Sequence, residues 1–472
     1  MNRILALLIM LFSCNCLQAQ AITEQLNKAV TQFETDEQMR HTILGLCVFN
    51  ARTGKPVYEH NAQLGLAAAS TQKLFTSVAA MDLLGKDYRY KTTIGYDGTV
   101  EDGILKGNLH IIGYGDPTLG SWRWSETKEE VVLRKIAGIL RDNGIRKIAG
   151  KVYINDSAFS MQPIPGGWIW DDIGNYYGAG VWGINWHENQ YDLHIQPGKK
   201  EGDETKLVRT APGLEVAAMQ NGITTGKKGS GDNAYIYLPP YGLMGFTQGT
   251  VPVAANDSPF VISGSFPNAP LQFAHALEAQ LKKEGIEVEQ SYVLYLSVLA
   301  NKQTMPAVKK IVGVLQSPVL DTINYWFLRR SVNLFGEALV KVIAYEKNGF
   351  GETEKGVELV RDFWGQHGIE KSAIKIIDGS GLSPQNRVTA DAEVKVLQYA
   401  KTRPWYNSFY NALPEYNGMK MKSGSVGGAR AFAGYHTAKN GEEYVFSIIV
   451  NNYDGSSGEA VRKLYKVLDV LK

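Results

Sequence analysis

Residues 67–85 read AAASTQKLFTSVAAMDLLG, a helical pattern that begins at a serine. Its apolar residues recur at spacings of three and four, the period of one helix face: Leu74, Val78, Met81 and Leu84. Ser70 therefore stands at a helix N-terminus, and Lys73 lies one turn further along the same face. A lysine that burial drives toward neutrality can accept a serine proton. The pair is a candidate nucleophile and base.

The Ser-x-x-Lys spacing is weak evidence when it stands alone. It recurs at Ser125–Lys128 and Ser372–Lys375, and a lone serine at a helix start is more often a cap followed by a solvated lysine. Two further motifs favour catalysis, namely Ser331-Val332-Asn333 and Lys422-Ser423-Gly424. They add a second hydroxyl, an amide and a cation for an anionic substrate terminus. Together the three motifs match the S-x-x-K, S-D-N and K-T-G set of penicillin-recognising serine enzymes.

The hydrophobic pattern predicts one sheet built from both chain ends. Strands of this sheet are expected over residues 44–50, 55–59, 420–425, 431–437 and 444–451. Helices are expected over residues 23–38, 271–284, 320–345 and 459–471. The third of these helices would carry Ser331 and Asn333 near its middle. Short strands separated by Gly, Asp and Asn turns, from about residue 92 to residue 262, indicate an insertion.

Several segments resemble one family closely. They are the stretch quoted first, GNLHIIGYGDPTL at 107–119, INDSAF at 154–159, GWIWDDIGNYYGA at 167–179, SVNLFGEALVK at 331–341 and DGSGLSPQN at 378–386. With the long gap between the first two motifs, they make the chain resemble the low-molecular-mass class C penicillin-binding proteins. These are the S13 peptidases, typified by D-alanyl-D-alanine carboxypeptidase/endopeptidase.

The resemblance implies an α+β fold with a penicillin-binding, β-lactamase-like transpeptidase domain. Its antiparallel sheet would be flanked by helices, built from both chain ends and interrupted by a large, mainly β insertion. Residues 22–92 and 290–472 would form the catalytic domain. Residues 93–289 would form the insertion, expected as two subdomains.

The resemblance also assigns roles to the first two motifs. Ser70 would be the acylated nucleophile and Lys73 its base. Ser331 would relay a proton to the leaving amine, and Asn333 would hold the peptide group of the substrate. Residues 378–382 look structural, as a loop packed behind the site.

The third motif would bind the substrate terminus. Lys422 would receive the terminal carboxylate with the hydroxyls of Ser423 and Ser425. Gly424 would let the substrate backbone approach the sheet edge. Backbone N–H groups of Ser70 and Ser425 would form the oxyanion hole, where fixed donors stabilise the tetrahedral intermediate.

The insertion holds candidate specificity residues. In relatives that favour a stem peptide with a free side-chain amine, an acidic residue and a following aromatic lie near the site, and here these positions match Asp172 and Tyr177. Pro384 replaces an arginine that often binds the side-chain carboxylate, so Arg387 is the candidate substitute. The alternative is that Asp172 is only a turn or cap residue. A wider aromatic group either stacks on sugar rings or packs a small core: Trp168, Trp170, Tyr176, Tyr177, Trp182 and Trp186.

The N-terminus predicts export. Arg3 precedes the apolar run Ile4–Phe12, and a small-residue site ends near Ala21, the pattern of a secretory signal over residues 1–21. A lipid anchor at Cys14 is a weaker alternative. After cleavage only Cys47 would remain, so no internal disulfide is expected. No later segment has 18 uninterrupted apolar residues, and we expect a periplasmic protein without a transmembrane segment.

Charge and motif content restrict the function. The chain has 49 basic and 47 acidic residues, which leaves no broad cationic field for nucleic acid. Neither a metal nor an organic cofactor is implied. The sequence predicts a serine-type DD-peptidase that cleaves peptidoglycan stem peptides and is acylated by β-lactams. A β-lactam hydrolase and a catalytically silent peptidoglycan-binding protein are the alternatives, and the choice between carboxypeptidase and endopeptidase and the oligomeric state stay open.

Overall fold

Strands from both ends of the chain form one antiparallel sheet, as predicted. The computed structural model describes residues 22–214, 216, 218–253 and 258–472, so the predicted leader and Cys14 lie outside the described residues. The six strands have the spatial order Pro56–His60, Ile43–Asn50, Glu443–Asn451, Ala429–Thr437, Met419–Val426 and Glu415–Tyr416. This sheet with its flanking helices confirms the predicted α+β class.

Both faces of the sheet are buried, because its central strands are apolar at nearly every position. On one face, Leu46 and Ile448 belong to a core that includes Val30 of the helix over residues 22–34 and Leu464 of helix Ser457–Leu468. Helix Ala390–Lys401 packs against the same central strands. The sheet is thus a rigid support for the residues that its strands carry.

The chain divides into two compact units. The first contains the residues up to Asp82, Asn324–Ser331 and Val360–Lys472, and the second contains Leu83–Ile323 and Val332–Leu359. Among the described residues, the first unit contains the α-helices 22–34, Ala390–Lys401, Tyr406–Ala412 and Ser457–Leu468, and all of helix Lys73–Leu83 except Leu83. Helices Leu320–Arg329 and Thr353–Gln366 have residues in both units. The division into a catalytic domain and an insertion at residues 93–289 stays a prediction.

The second unit is rich in strands and also holds long helices. Its largest sheet has the order Tyr292–Leu294, Val152–Asn155, Leu109–Gly113, Lys91–Tyr96 and Lys310–Gln316. The other sheets are Glu287–Val288, Lys147–Ile148, Ile104–Lys106 and Thr99–Glu101; Lys206–Ala211, Gln190–Gln196 and Phe260–Ser265; and Ala218–Gly226, Met244–Pro252 and Asn233–Tyr237. Its longer helices are Glu129–Asp142, Ala269–Lys283 and Asn333–Asn348. The five-stranded sheet therefore extends beyond residues 93–289 at both ends.

The single helix expected over residues 320–345 is wrong. The chain is helical over Leu320–Arg329 and again over Asn333–Asn348. Between them Ser331 has φ +57°, in the left-handed region, and Val332 is extended. A left-handed conformation costs a non-glycine residue roughly 1–2 kcal/mol, and neither glycine nor proline marks the break in the sequence. Ser331 consequently lies in a short irregular break between the two helices, and Asn333 begins the second helix.

A carboxyl group is buried between helix Ala390–Lys401 and the central sheet. Glu393 has no exposed surface, and its Oε2 accepts a 2.6 Å hydrogen bond from Oγ of Ser447. Burial raises the pKa of Glu393 to about 7, although hydrogen bonds from Ser447 and Thr71 oppose the rise. The folded protein therefore holds a proton on Glu393 at a pH where an exposed carboxyl has lost it.

We expect this group to make the protein less stable as pH rises. In the unfolded chain Glu393 titrates near its ordinary value of about 4.3. Its stabilising proton is fully bound in the folded state below that value and is lost as pH passes about 7. The free energy of unfolding should fall by on the order of 3 kcal/mol from this group alone.

Urea unfolding of Glu393→Gln across this pH range measures the effect. The variant should show a flatter dependence of the free energy of unfolding on pH than the wild type. Glu415→Gln, which changes an exposed glutamate of the same unit, should keep the wild-type dependence. A Glu393→Gln curve parallel to that of the wild type would contradict the raised pKa.

Candidate active site

Ser70 and Lys73 are in direct contact. A single 3₁₀ turn, Ala69–Gln72, carries Ser70 and runs into helix Lys73–Leu83. Lys73 is fully buried, and its Nζ lies 2.9 Å from Ser70 Oγ. The same amine donates a 2.6 Å hydrogen bond to the carbonyl oxygen of Ser380. The Ser380 carbonyl thus helps to orient the amine toward the Ser70 hydroxyl.

Two glycines from different parts of the sequence, Gly381 and Gly424, lie against the backbone of this turn. At Gly424, a Cβ atom would lie 2.1 Å from the carbonyl oxygen of Ala68 and 3.1 Å from the backbone nitrogen of Ser70. At Gly381, which has φ +83°, a Cβ atom would lie 2.0 Å from the carbonyl oxygen of Ala69. Any side chain at either position would push the backbone away. These positions therefore require glycine.

Besides Gly381, three residues of the loop 378–382 accept hydrogen bonds from the 3₁₀ turn or from helix Lys73–Leu83. Gln72 Nε2 donates to the main-chain and side-chain oxygens of Asp378, at 2.9 and 3.0 Å. Thr76 Oγ1 donates to the carbonyl oxygen of Gly379 at 2.8 Å. The third contact is the Lys73–Ser380 bond. A motif that looked structural in the sequence therefore also positions the amine of Lys73, which residue types alone did not indicate.

Lys422 is a second buried amine near Lys73. It lies on strand Met419–Val426 with 1% of its surface exposed, and its Nζ donates to the carbonyl oxygen of Ser423 at 2.8 Å. Burial and, to a smaller degree, the charge of Lys73 hold the pKa of Lys422 well below its ordinary value. On the same strand Ser423 is half-buried and Ser425 is exposed. The strand thus presents an amine and two hydroxyl groups.

Ser331 belongs to the same unit as Ser70 and Lys73. It follows helix Leu320–Arg329, and Phe327 of that helix lies against the base, with its ring centre 5.9 Å from Lys73 Nζ. Ser331 is half-buried in a left-handed conformation. Strained residues of this kind are found preferentially at functional sites.

The remaining candidate residues form a separate group in the second unit. Asn333 Nδ2 donates a 2.8 Å hydrogen bond to the carbonyl oxygen of Tyr177. Burial, with a smaller contribution from neighbouring Asp171, raises the pKa of Asp172 to about 6, and a hydrogen bond from the Tyr177 hydroxyl opposes the rise. Asp172 and Tyr177 are therefore paired, and the segment that carries them is bound to the start of the Asn333 helix.

Lys341 joins the two ends of the segment that carries Asp172 and Tyr177, at Gln162 and Val181. Its fully buried amine donates to the carbonyl oxygens of Gln162 and Val181, at 2.8 and 2.9 Å. The nitrogen of Val181 donates to the carbonyl oxygen of Pro163 at 2.9 Å. Burial lowers the pKa of Lys341 to about 8, while the charge of Glu337 one turn earlier opposes this. Lys341 and Glu337 interrupt an otherwise apolar run over residues 334–344, and this sequence signal did not lead to a prediction of the contact.

Arg387 begins the short strand Arg387–Val388, and one of its guanidinium nitrogens bonds to the loop that precedes it. Its Nη1 donates to the carbonyl oxygens of Pro384 and Asn386, at 2.6 and 2.7 Å. The side chain is exposed. Its role toward a substrate carboxylate stays a prediction.

Metal-ligand geometry occurs at one place among the described residues. Cys47, Glu59 and Asp391 offer atoms within 4.8 Å of one another. Asp391 is paired with Lys395 at 2.7 Å, and burial raises the pKa of the Cys47 thiol strongly. A protonated thiol is a poor ligand, so this cluster does not favour a metal.

Among the described residues, none of the helices has the length and apolar character needed to cross a membrane.

Comparisons with known proteins identify the family of this chain. The sequence matches the D-Ala-D-Ala carboxypeptidase 3 (S13) family over residues 26–415. It is 26% identical to the D-alanyl-D-alanine carboxypeptidase of Actinomadura sp. (strain R39), over 93% of this chain and 83% of that protein. It is 23% identical to the D-alanyl-D-alanine carboxypeptidase DacB of Haemophilus influenzae, over 89% of this chain and 88% of that protein.

The solved structures show the same fold. Penicillin binding protein 4 (DacB) from H. influenzae matches with a TM-score of 0.79 and 21% identity, over 94% of this chain and 99% of that chain. The same H. influenzae protein complexed with a β-lactam matches with a TM-score of 0.74. Because the family match covers most of the sequence, the chain belongs to the D-Ala-D-Ala carboxypeptidase 3 (S13) family of peptidases.

Proposed function

We propose that this protein is a serine-type D-alanyl-D-alanine carboxypeptidase that cleaves peptidoglycan stem peptides through an acyl-enzyme on Ser70. The 2.9 Å contact between Lys73 Nζ and Ser70 Oγ is the observation that carries the proposal. A general base must lie within hydrogen-bond distance of the proton that it removes, and this contact meets that requirement. The family and the named relatives support the substrate class.

The chemistry requires a neutral amine at Lys73. In that state Ser70 donates its proton to Lys73 Nζ, while Oγ attacks the carbonyl carbon between the two D-alanines. The peptide C–N bond breaks, the terminal D-alanine leaves with a proton, and an ester remains on Ser70. Water then hydrolyses the ester and frees the serine. The Ser380 carbonyl accepts an N–H of the amine throughout, which directs its lone pair toward Ser70.

The strand beside the nucleophile would bind the substrate. Because Gly424 brings its backbone next to the Ser70 nitrogen, N–H groups of Ser70 and Ser425 are candidates for the oxyanion hole. Lys422, Ser423 and Ser425 would hold the terminal carboxylate. An arriving carboxylate favours the ammonium form of Lys422, which the burial of that amine otherwise disfavours.

Ser331 and Asn333 would act on the leaving side of the reaction. Ser331 would pass a proton to the departing amine, and Asn333 would bind a peptide group of the substrate. The same steps cleave a cross-link when the leaving amine belongs to a neighbouring stem peptide, so DD-endopeptidase activity is part of the proposal. Mass analysis of peptidoglycan fragments after incubation with the protein measures both activities.

β-Lactams would acylate the same serine, because they present a reactive amide beside a carboxylate. The β-lactam complex of H. influenzae penicillin binding protein 4 supports this proposal. The substrate and the apolar N-terminal run also support a periplasmic location. A binding protein without catalysis would not be labelled by penicillin. A β-lactam hydrolase would release the label rapidly.

Ser70→Ala should abolish labelling by a fluorescent penicillin. The substitution removes the only atom that the proposal acylates. The thermal transition should change little, since Ser70 lies within the 3₁₀ turn and not at its cap, and the Lys73 amine keeps its bond to the Ser380 carbonyl. Ser372→Ala, in the exposed Ser372–Lys375 sequence with the same spacing, is the matched control and should label fully. Labelling that persists in Ser70→Ala would exclude Ser70 as the nucleophile.

Lys422→Ala should impair the cleavage of free-acid peptides more than that of carboxyl-blocked ones. The loss of a charge-assisted contact costs roughly 1.5–3 kcal/mol, about tenfold or more in kcat/KM. Both peptides are measured on one preparation of the variant. A misfolded fraction then lowers both rates by the same factor and leaves their ratio unchanged. Lys420→Ala on the same strand should leave the ratio unchanged. Equal losses on both peptides would remove Lys422 from carboxylate binding.

Asp172 should select a free side-chain amine only when it is ionised. The pKa of Asp172 is raised to about 6, so kcat/KM for free-amine peptides relative to acetylated ones should increase as pH rises through that value. In Asp172→Ala the ratio should be lower by about tenfold or more, which corresponds to the roughly 1.5–3 kcal/mol of one charge-assisted hydrogen bond, and it should not depend on pH. Asp171→Asn is the control and should retain the preference. A pH-independent ratio in the wild type would leave Asp172 a structural residue.

A further inference from the structure

One face of the sheet formed by Ala218–Gly226, Met244–Pro252 and Asn233–Tyr237 carries exposed aromatic rings. Tyr237 lies opposite Phe246, and Tyr235 lies opposite Gln248 on the neighbouring strand, so these side chains project from one face. The rings of Tyr237 and Phe246 are stacked, with centres 4.6 Å apart and planes 13° apart. Trp170 lies beside them, its ring centre 5.7 Å from that of Tyr237. We call Trp170, Tyr235, Tyr237 and Phe246 the aromatic face.

The aromatic face is exposed to solvent, while the opposite face of the same sheet is buried in the hydrophobic core. Trp170 is 44% exposed, and Tyr235 and Phe246 are each 41% exposed. The alternate residues Ile223, Ile236 and Val251 are buried. The sheet is therefore buried on one side, and on the other side it carries a contiguous group of rings, the kind of patch that marks interaction sites.

The chemistry of the aromatic face favours a neutral polar ligand. Its neighbours on the same side of the sheet carry amide or other uncharged side chains: Gln220, Gln248, Asn233, Thr224 and Met244. None of the positions on this side of the three strands is a lysine, arginine, aspartate or glutamate. Flat rings stack on the C–H faces of pyranose sugars, and amides bond to hydroxyl and acetamido groups. An anionic lipid or nucleic acid would instead require basic residues.

The aromatic face adjoins the segment that we assign to stem-peptide recognition. Trp170 begins helix Trp170–Ile173, which includes Asp172. Tyr237 Oη donates to Asp171 Oδ1 at 3.0 Å, and Tyr235 is close enough to Tyr177 to contribute to its raised pKa. Tyr177 in turn accepts the hydrogen bond from Asn333. A stem peptide bound here is covalently attached to a sugar chain, which must lie nearby.

We propose that the aromatic face binds the glycan strand of peptidoglycan, a chain of β-linked N-acetylated hexosamines. This inference rests on the proposed function, since that function supplies the peptidoglycan. Stacking on the aromatic face would hold the strand while its stem peptides are presented for cleavage. Three residues of the predicted aromatic group are buried in the core and take no part: Trp168, Trp182 and Trp186.

Binding of peptide-free glycan tests the inference directly. Isothermal titration of the full chain with peptide-free glycan strands, and separately with an N-acetylglucosamine tetramer, should give saturable binding. Ser70→Ala should bind as the wild type does. Phe246→Ala should weaken binding by about tenfold or more, as expected for a stacking anchor. Phe350→Ala is the matched control, because Phe350 is a similarly exposed phenylalanine of the same unit, and it should bind normally.

Parallel assays separate this inference from the proposed function. Phe246→Ala should retain penicillin labelling and cleavage of a glycan-free peptide but act more slowly on intact peptidoglycan. Absence of glycan binding in the wild type, or equal binding by Phe246→Ala, would overturn the inference while those activities remain. Sedimentation adds one more test: a dimer that Phe246→Ala converts to monomer, without glycan binding, would make a second copy the occupant and overturn it. Failure of labelling and peptide cleavage in the wild type would instead reject the proposed function.

Discussion

The turn that carries Ser70 is confined between two backbones that approach it without side chains. Gly424 comes from a strand near the C-terminus, and Gly381 comes from the loop after Asp378. Each would place a Cβ atom about 2 Å from a carbonyl oxygen of residues 68–69. This double contact fixes the serine against the sheet and against the loop that orients Lys73. The large sheet, built from both chain ends, is the framework that keeps the three segments in register.

The site holds two buried amines in one small region. Lys73 and Lys422 are both excluded from water, and their charges repel. Such a pair is easier to accommodate when only one member is protonated. In the proposed mechanism, a substrate carboxylate favours charge on Lys422 and so leaves Lys73 free to act as the base. Binding of the correct substrate terminus and activation of the nucleophile are thereby linked electrostatically.

The sequence predicts the parts that depend on local pattern. The helix after Ser70, the two-ended sheet and the S13 family follow from apolar spacing and from motifs. The break at Ser331 could not be predicted, because no glycine or proline marks it and tertiary packing overrides a continuous helical pattern. The aromatic face was only partly predicted. Trp170 lies in a recognised segment, but Tyr237 and Phe246 meet it through strand pairing, which the sequence does not reveal.

The contact of Lys341 with both ends of the segment between Gln162 and Val181 has a consequence for sequence variation. One buried amine and one backbone hydrogen bond join the two ends of the segment. These contacts offset the entropic cost of closing the loop. The inner residues have contacts of their own, because the Tyr177 carbonyl accepts from Asn333 and the Gly174 carbonyl accepts from the Ser265 nitrogen. A variant that loses Lys341 would therefore release the two ends of the segment while its middle stays bound.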